Sequence, residues 1–287
     1  MNIINPKVTE VTDFEGTYNF YKSVARAARI CYASDKTTDN IDLVKRLVKS
    51  KHYSPFAHAI IYIDVNRLRE VKSKYDDVIC SIIERCLPNK YTTEYKNGIY
   101  TVNGRVILEC CEATLEENKD ITLDTLDLTD YFLTNIKMVE INPSSVNANK
   151  SFIVDTSIGC TREMNRHHNN FNICEQSTRY CNFSKDKFGG EVAFNKPYWF
   201  DDVSTTTQQA WMTSMELAEK NYFDLQSLGM TTDEARGVLP IDTHSRAIYT
   251  ATIQEWRHVI DLRLKGTTGK PHGDIAIIAG MINEMIN

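Results

Sequence analysis

The stretch SFIVDTSIGCTREMNRHHNNFNICEQSTRY, Ser151–Tyr180, is the most unusual in the chain and sets the reading of the rest. Ser151 to Asp155 is a short apolar run of strand character. Beyond it, Arg162 to Tyr180 packs three arginines, two adjacent histidines, two glutamates and several amides into nineteen positions. Arg162 and Arg166 stand four apart, so a helix beginning at Thr161 projects both guanidinium groups from one face. That geometry suits a phosphate or a carboxylate, and equally a solvated basic patch partnered by Glu163 or Asp155. His167 and His168 would point about 100° apart on a helix, so they do not readily share one small metal ion.

Working outward, His58–Val65 and Val106–Cys110 also read as strands. Asn40–Ser50 carries Ile41, Val44, Leu47 and Val48 on one side of a helix, and Leu68 to about Cys86 interleaves charges with Val and Ile. Trp211, Met215, Ala218, Tyr222 and Leu225 recur at steps of four and three, with Gly229 as the stop, and predict a long helix with a core or interface stripe. Glu112–Asn149 is acidic, then polar, without glycine or repeat, and predicts a surface insertion at about 112–149 in a single domain spanning 1–287. Strands and helices mixed without strict alternation point to an α+β fold.

Of the 287 residues, 33 are Lys or Arg and 38 Asp or Glu, a net charge of −5 that argues against a general nucleic-acid coat protein. An anionic ligand must therefore be held by a local cluster. The eight cysteines form no C-x-x-C pair and read as reduced thiols of a cytoplasmic chain, with no metal site. The N-terminal MNIINPKVTE has no basic segment followed by an apolar stretch, and the apolar runs are too short for a bilayer, so no signal, anchor or membrane partner is expected. Phosphate-loop and dinucleotide glycine motifs are absent.

A second cluster spans Thr231 to Lys265. Thr231 and Glu234 form a capping box before Arg236 and Pro240; Ala247–Ala251 reads as a strand; Thr252 and Glu255 open another helix with Trp256, Val259 and Ile260 inward. Arg263 lies seven residues beyond Trp256, on that apolar side. A buried guanidinium is costly alone, so it must face an internal carboxylate or a ligand. A third element, HYSPFAH at His52–His58, is by itself only a turn.

Together the three clusters resemble the flavin-dependent thymidylate synthases. The family signature, Arg-His-Arg, seven residues, Ser and then Arg-Tyr, is matched by Arg166-His167-His168 and Ser177-Thr178-Arg179-Tyr180. HYSPFAH, CNFSKDKFGG, EARGVLP and EWRHVIDLR match flanking segments, so the resemblance covers most of Ala27–Val65 and Ser151–Ile275.

The resemblance implies a mixed or antiparallel sheet flanked by helices, and reductive methylation of deoxyuridylate (dUMP) to dTMP. FAD reduced by NADPH and methylenetetrahydrofolate as carbon donor are implied, in a homotetramer with shared pockets. It assigns dUMP to Glu163, Arg166, Glu175, Gln176, Ser177, Thr178, Arg179, Arg236 and Arg263, with Arg263 as the activating residue. It assigns FAD to Ser54, Arg166, His167, His168, Glu175, Thr252 and His258, with His52 near flavin and folate. Three departures matter. His168 replaces a permanent charge by a conditional one. Eight residues, not seven, precede Ser177, so Asn169–Cys174 is expected to bulge. Ser245-Arg246 stands for the usual Thr-Glu, reversing a charge near the cleft. Altered one-carbon chemistry, such as hydroxymethylation, or a degenerate flavin- or nucleotide-binding relative are the alternatives.

Overall fold

The computed structural model describes residues 1–12, 17–34, 39–66, 76–136, 145 and 147–287, and among these described residues three sheets organise the fold. In chain order the elements are β1 (Asn2–Ile4), β2 (Lys7–Val11), α1 (Thr17–Tyr32), α2 (Asn40–Lys49), β3 (Ile60–Asp64), α3 (Asp76–Cys86), β4 (Thr93–Lys96), β5 (Ile99–Asn103), α4 (Gly104–Glu117), α5 (Thr125–Asn135), β6 (Asn149–Ser157), α6 (Ile158–Met164), β7 (Asn172–Glu175), β8 (Ala193–Asn195), α7 (Thr205–Ser227), α8 (Thr232–Ala235), β9 (His244–Thr252), α9 (Ile253–Arg263) and α10 (Gly273–Ile286). The architecture is α+β, with antiparallel sheets flanked by helices and one short parallel pair, β1 with β8. Its residues gather into two compact units: Met1–Val11, Arg29–Ser34 and Lys150–Asn287 in the first, Thr12–Ala28 and Asp35–Asn149 in the second.

The first unit is built on a four-stranded sheet of order β2-β6-β9-β7. β2 and β6 are antiparallel, as are β7 and β9, and the side-chain pairs Ser151–Thr250 and Asp155–Arg246 run in opposite senses along β6 and β9. α9 packs on β9, and α10 on β2 and α9. Trp256 is fully buried, with Phe152 and Phe171 edge-on to it at 4.9 and 4.7 Å, and its indole N–H donates to the Lys150 carbonyl at 3.1 Å. Burying an aromatic of this size contributes about 2–3 kcal/mol and fixes the face from which Arg263 emerges. The apolar stripe of α7 buries Trp211, Met215 and Tyr222 against Phe183, Val192 and Phe194, and Gly229 follows at φ +93°, the left-handed stop that glycine tolerates.

The second unit holds the β3-β5-β4 sheet and its own core, including Phe56, Ile63, Ile82, Val102 and Phe132. Val106–Cys110, expected as a strand, is instead part of α4. Asn103 caps it by accepting from the Val106 N–H at 3.0 Å, and Val106, Ile107, Leu108, Cys110 and Cys111 are all buried. Over Val106–Cys110 only Glu109 reaches solvent, so this short apolar window imitates a central strand, while the polar face of the helix, with Arg105 and Glu116, shows only over its full length. The stretch read as an insertion contributes to this core: α5 buries Leu126, Leu128, Phe132 and Leu133. Of the helix expected over Leu68–Cys86, Asp76–Cys86 is helical as α3, and residues 67–75 lie outside the described ones.

Candidate active site

Ser157 caps α6 by accepting from the Cys160 N–H at 3.1 Å, so the helix starts at Ile158 and not, as expected, at Thr161. α6 ends at Met164, and a 3-10 turn, Asn165–Asn170, carries Arg166, His167 and His168. β7 then pairs with β9 in unbroken register from Asn172↔Thr250 to Glu175↔Ala247. The register of β7 is thus regular from Asn172 onward, and any bulge from the extra residue of the signature, expected in Asn169–Cys174, falls before it.

Arg263, at the last turn of α9, faces this turn. Its Nη1 donates to Glu163 Oε2 at 2.9 Å, Nη2 to the Glu163 carbonyl at 3.3 Å, and Nε to His167 Nε2 at 3.2 Å. Arg263 and Glu163 are only 17% and 24% exposed, so the internal carboxylate that a guanidinium on the apolar face demands is Glu163. Because His167 accepts at Nε2, its ring is neutral with the proton at Nδ1. Burial first, then the cation Arg263 and His258, hold its pKa down at about 4. Arg166, 67% exposed, pairs with the other Glu163 oxygen at 3.2 Å, and His258 stands edge-on to His167 with ring centres 6.2 Å apart.

Glu175 ends β7 inside a cage of neutral donors. Its Oε1 accepts from Thr161 Oγ1 and Ser245 Oγ, both at 2.7 Å, and its Oε2 from Asn165 Nδ2 at 3.2 Å. The Tyr249 hydroxyl donates to Asn165 Oδ1 at 3.1 Å, and burial, with Glu175 nearby, pushes its pKa up. Thr161, Asn165, Ser245 and Tyr249 were not assigned from sequence, yet Ser245 and Tyr249 are four apart on one strand and so share a face.

A second pair of arginines lies along Ser177–Tyr180 and at the end of α8. The Ser177 N–H is held by the Cys31 carbonyl at 3.0 Å and the Gln176 N–H by the Arg246 carbonyl at 2.8 Å, which fixes this segment beside β9. The capping box of Thr231 and Glu234 forms as expected and seats α8. Arg179 Nε then donates to Asp233 Oδ2 at 3.2 Å, Arg236 Nη2 meets Asp233 Oδ1 at 2.9 Å, and Arg236 Nη1 donates to Thr178 Oγ1 at 3.0 Å. Asp233 was not assigned from sequence.

Arg246, the departure whose partner sequence left open, binds Asp155 through Nε at 2.6 Å and Nη2 at 3.2 Å. His244 Nε2 lies 3.5 Å from the same carboxylate and its Nδ1 2.9 Å from Asn195 Oδ1. Burial raises the Asp155 pKa, but hydrogen bonds from His244 and Arg246 more than offset it, and the net shift is downward.

The donor set assigned to FAD divides. Arg166, His167, His168 and His258 lie around one partly exposed surface of α6, the 3-10 turn and α9, a mixture of cation and flat rings that fits a diphosphate and an aromatic ring system. Glu175 is engaged internally, and the Thr252 hydroxyl caps α9 by accepting from the Glu255 N–H at 3.2 Å. Ser54 and His52 belong to the second unit: Ser54 opens the 3-10 turn Ser54–His58 and the His52 N–H donates to the Leu47 carbonyl at 2.9 Å. All eight cysteines are free thiols. Among the described residues no group of three or more His, Cys, Asp and Glu could hold a metal ion, and no helix is long and apolar enough to cross a membrane.

Residues 146–286 match the family described as "Thymidylate synthase complementing protein". The resemblance noted at Ala27–Val65 lies outside the matched residues. A probable flavin-dependent thymidylate synthase of Paramecium bursaria Chlorella virus 1 is 28% identical over 129 residues, 42% of this chain and 59% of that protein, so the chain spans less than two thirds of that relative. Among solved structures, the UMP/dUMP methylase PolB of Streptomyces cacaoi bound with 5-Br UMP aligns at a TM-score of 0.46 and 17% identity, over 99% of this chain and 91% of that one. Its form bound with 5-Br dUMP aligns at 0.43 with the same identity and coverage.

Proposed function

We propose, on the premise that this chain belongs through residues 146–286 to the flavin-dependent thymidylate synthase family, that it reductively methylates dUMP to dTMP. The carbon comes from methylenetetrahydrofolate, with FAD and NADPH as the reducing couple. The observation that carries this reading is Arg263: a poorly exposed guanidinium held from two sides, on the matched segment, beside a neutral histidine.

Uracil C5 is a weak nucleophile until negative charge builds in the ring. A fixed cation beside N3 and O2 favours that charge, and more so where water is scarce. We assign that cation to Arg263, which is poorly exposed and whose orientation Glu163 and His167 hold without requiring reorganisation when charge develops. Arg179 and Arg236 suit the nucleotide phosphate, because guanidinium forks match phosphate oxygens. The Glu175 cage holds the end of β7 against α6 and β9, and so fixes the segment that carries Ser177, Thr178 and Arg179. Reduced flavin, when bound, supplies the hydride that completes the methyl group. We assign the working form to a homotetramer with shared pockets in the cytoplasm.

The test is release of tritium from C5-labelled dUMP, dependent on NADPH and methylenetetrahydrofolate, with the product identified. Release with dTMP as product supports the reading; release with a hydroxymethylated nucleotide replaces the product; absence of release with a flavin-loaded, folded protein removes the activity.

A further inference from the structure

In the pair formed by Arg179 and Arg236, the anion between the arginines is one of the chain's own. Asp233 presents one carboxylate oxygen to each guanidinium, at 3.2 and 2.9 Å. All three side chains are well exposed, at 55% for Arg179, 38% for Arg236 and 43% for Asp233, so solvent screens these ion pairs and they exchange easily. Arg179 uses only its Nε, which leaves its terminal fork open for a bidentate acceptor, and the Tyr180 ring lies 5.6 Å from its guanidinium carbon.

We infer that Asp233 is an internal placeholder: its carboxylate occupies the arginine pair in the free protein, and a phosphate monoester takes the arginines by displacing it. The inference rests on the proposed reading for the identity of the monoester, but not for the exchange itself. A carboxylate offers two oxygens and one charge. A phosphate monoester offers three terminal oxygens and close to two charges near neutral pH, so it can engage the free fork of Arg179 and Arg236 together. Asp233 lowers the apparent affinity of every competing anion by one common factor, so a weakly held monoanion hardly occupies the site while a dianion, with the stronger intrinsic affinity, still does. Removing the carboxylate does not disorder its partner, because Arg236 is also held by Thr178 Oγ1 at 3.0 Å and by the Asp233 backbone carbonyl at 3.2 Å. The capping box closes α8 without the Asp233 side chain, so the fold does not depend on it.

The experiment measures binding of inorganic phosphate, acetate and dUMP by calorimetry at low ionic strength in the full chain, for the native protein, Asp233→Asn and Asp233→Ser. The expected result is about fivefold tighter phosphate binding in both variants, the size of an exposed ion pair, and a similar factor for acetate, since every anion that displaces the carboxylate loses the same free energy to it. Unchanged or weaker phosphate binding in both variants overturns the placeholder role and makes Asp233 a support for the arginines. The two levels fail separately. Native protein that turns over dUMP while the variants show no gain keeps the activity and loses the placeholder. Native protein that ignores dUMP while the variants bind phosphate more tightly keeps the placeholder and loses the nucleotide.

Discussion

The two arginine clusters of the first unit use the same side chain under opposite conditions. Arg263 is 17% exposed and all three types of its guanidinium nitrogen are engaged, whereas Arg179 is 55% exposed and engages one. Where water is scarce a guanidinium must be fully partnered, and its charge then acts as a fixed field. Where water is plentiful the partner is exchangeable, and the same group becomes a binding site. Burial, not residue type, separates the two, and on the proposed reading the first orients a reaction while the second trades ligands.

The sharpest way to break this comparison is Arg263→Ala. It should lower turnover by at least a hundredfold, about 2.7 kcal/mol of transition-state stabilisation, while the circular dichroism spectrum stays that of the folded chain. Glu163 retains Arg166 at 3.2 Å, so the carboxylate left behind is not without a cation. Normal turnover would make Arg263 a structural ion pair only. Arg179→Ala should act on binding, weakening dUMP by about 1.5–3 kcal/mol as loss of a charged donor does, with kcat little changed once the site is saturated. Equal losses in kcat and affinity for both variants would erase the distinction between the clusters.

The sequence made the Arg263 side of this comparison legible and the Asp233 side not. Arg263 stands seven residues from Trp256 on a face whose other members are apolar, so a buried partner was required. The Thr231–Glu234 capping box, the Thr252 cap of α9 and the β9 to α9 connection were legible for the same reason: their signals lie within a few residues of one another. Asp233 stands three residues before Arg236, a spacing common on any solvated helix, and its second partner is an arginine 54 positions away that nothing local marks. The Arg246 partner, Asp155, lies 91 positions away across a strand pairing that periodicity cannot register. Val106–Cys110 failed for a different cause: five residues with one solvent-facing member, Glu109, are too short a window to show the helical period that Arg105, Glu109 and Glu116 mark over the whole of α4.

Arg246→Glu tests whether the family's usual acid is compatible with this sheet. It sets a carboxylate against Asp155, which is buried and held in its charged form by Arg246 and His244. Loss of the cation and a new like charge should destabilise the fold by about 1–2 kcal/mol, read by urea denaturation at neutral pH. The depressed Asp155 pKa contributes stability above the carboxylate's ordinary value that is lost as pH falls through the folded value, so the native protein should lose this advantage in acid. The difference between native protein and variant should therefore shrink below about pH 4. A constant difference across that range would mean that Asp155 does not bear the charge.

The smallest effect expected comes from His167, and it probes how dry the Arg263 cluster is. Its folded pKa, about 4, lies below the ordinary histidine value of about 6.5, so between these limits the unfolded chain carries a proton that the folded chain does not. Stability then rises with pH across this window and is lost as pH falls from about 6.5 towards 4. The ring is partly solvated and the effect is screened accordingly, so the total change should be about 1 kcal/mol or less. His167→Gln keeps an acceptor for Arg263 Nε but cannot titrate, so it should flatten this part of the profile while Arg263 stays paired with Glu163. A slope that survives the substitution would assign the protons to another group, and the neutral ring beside Arg263 would no longer account for the acid side of the profile.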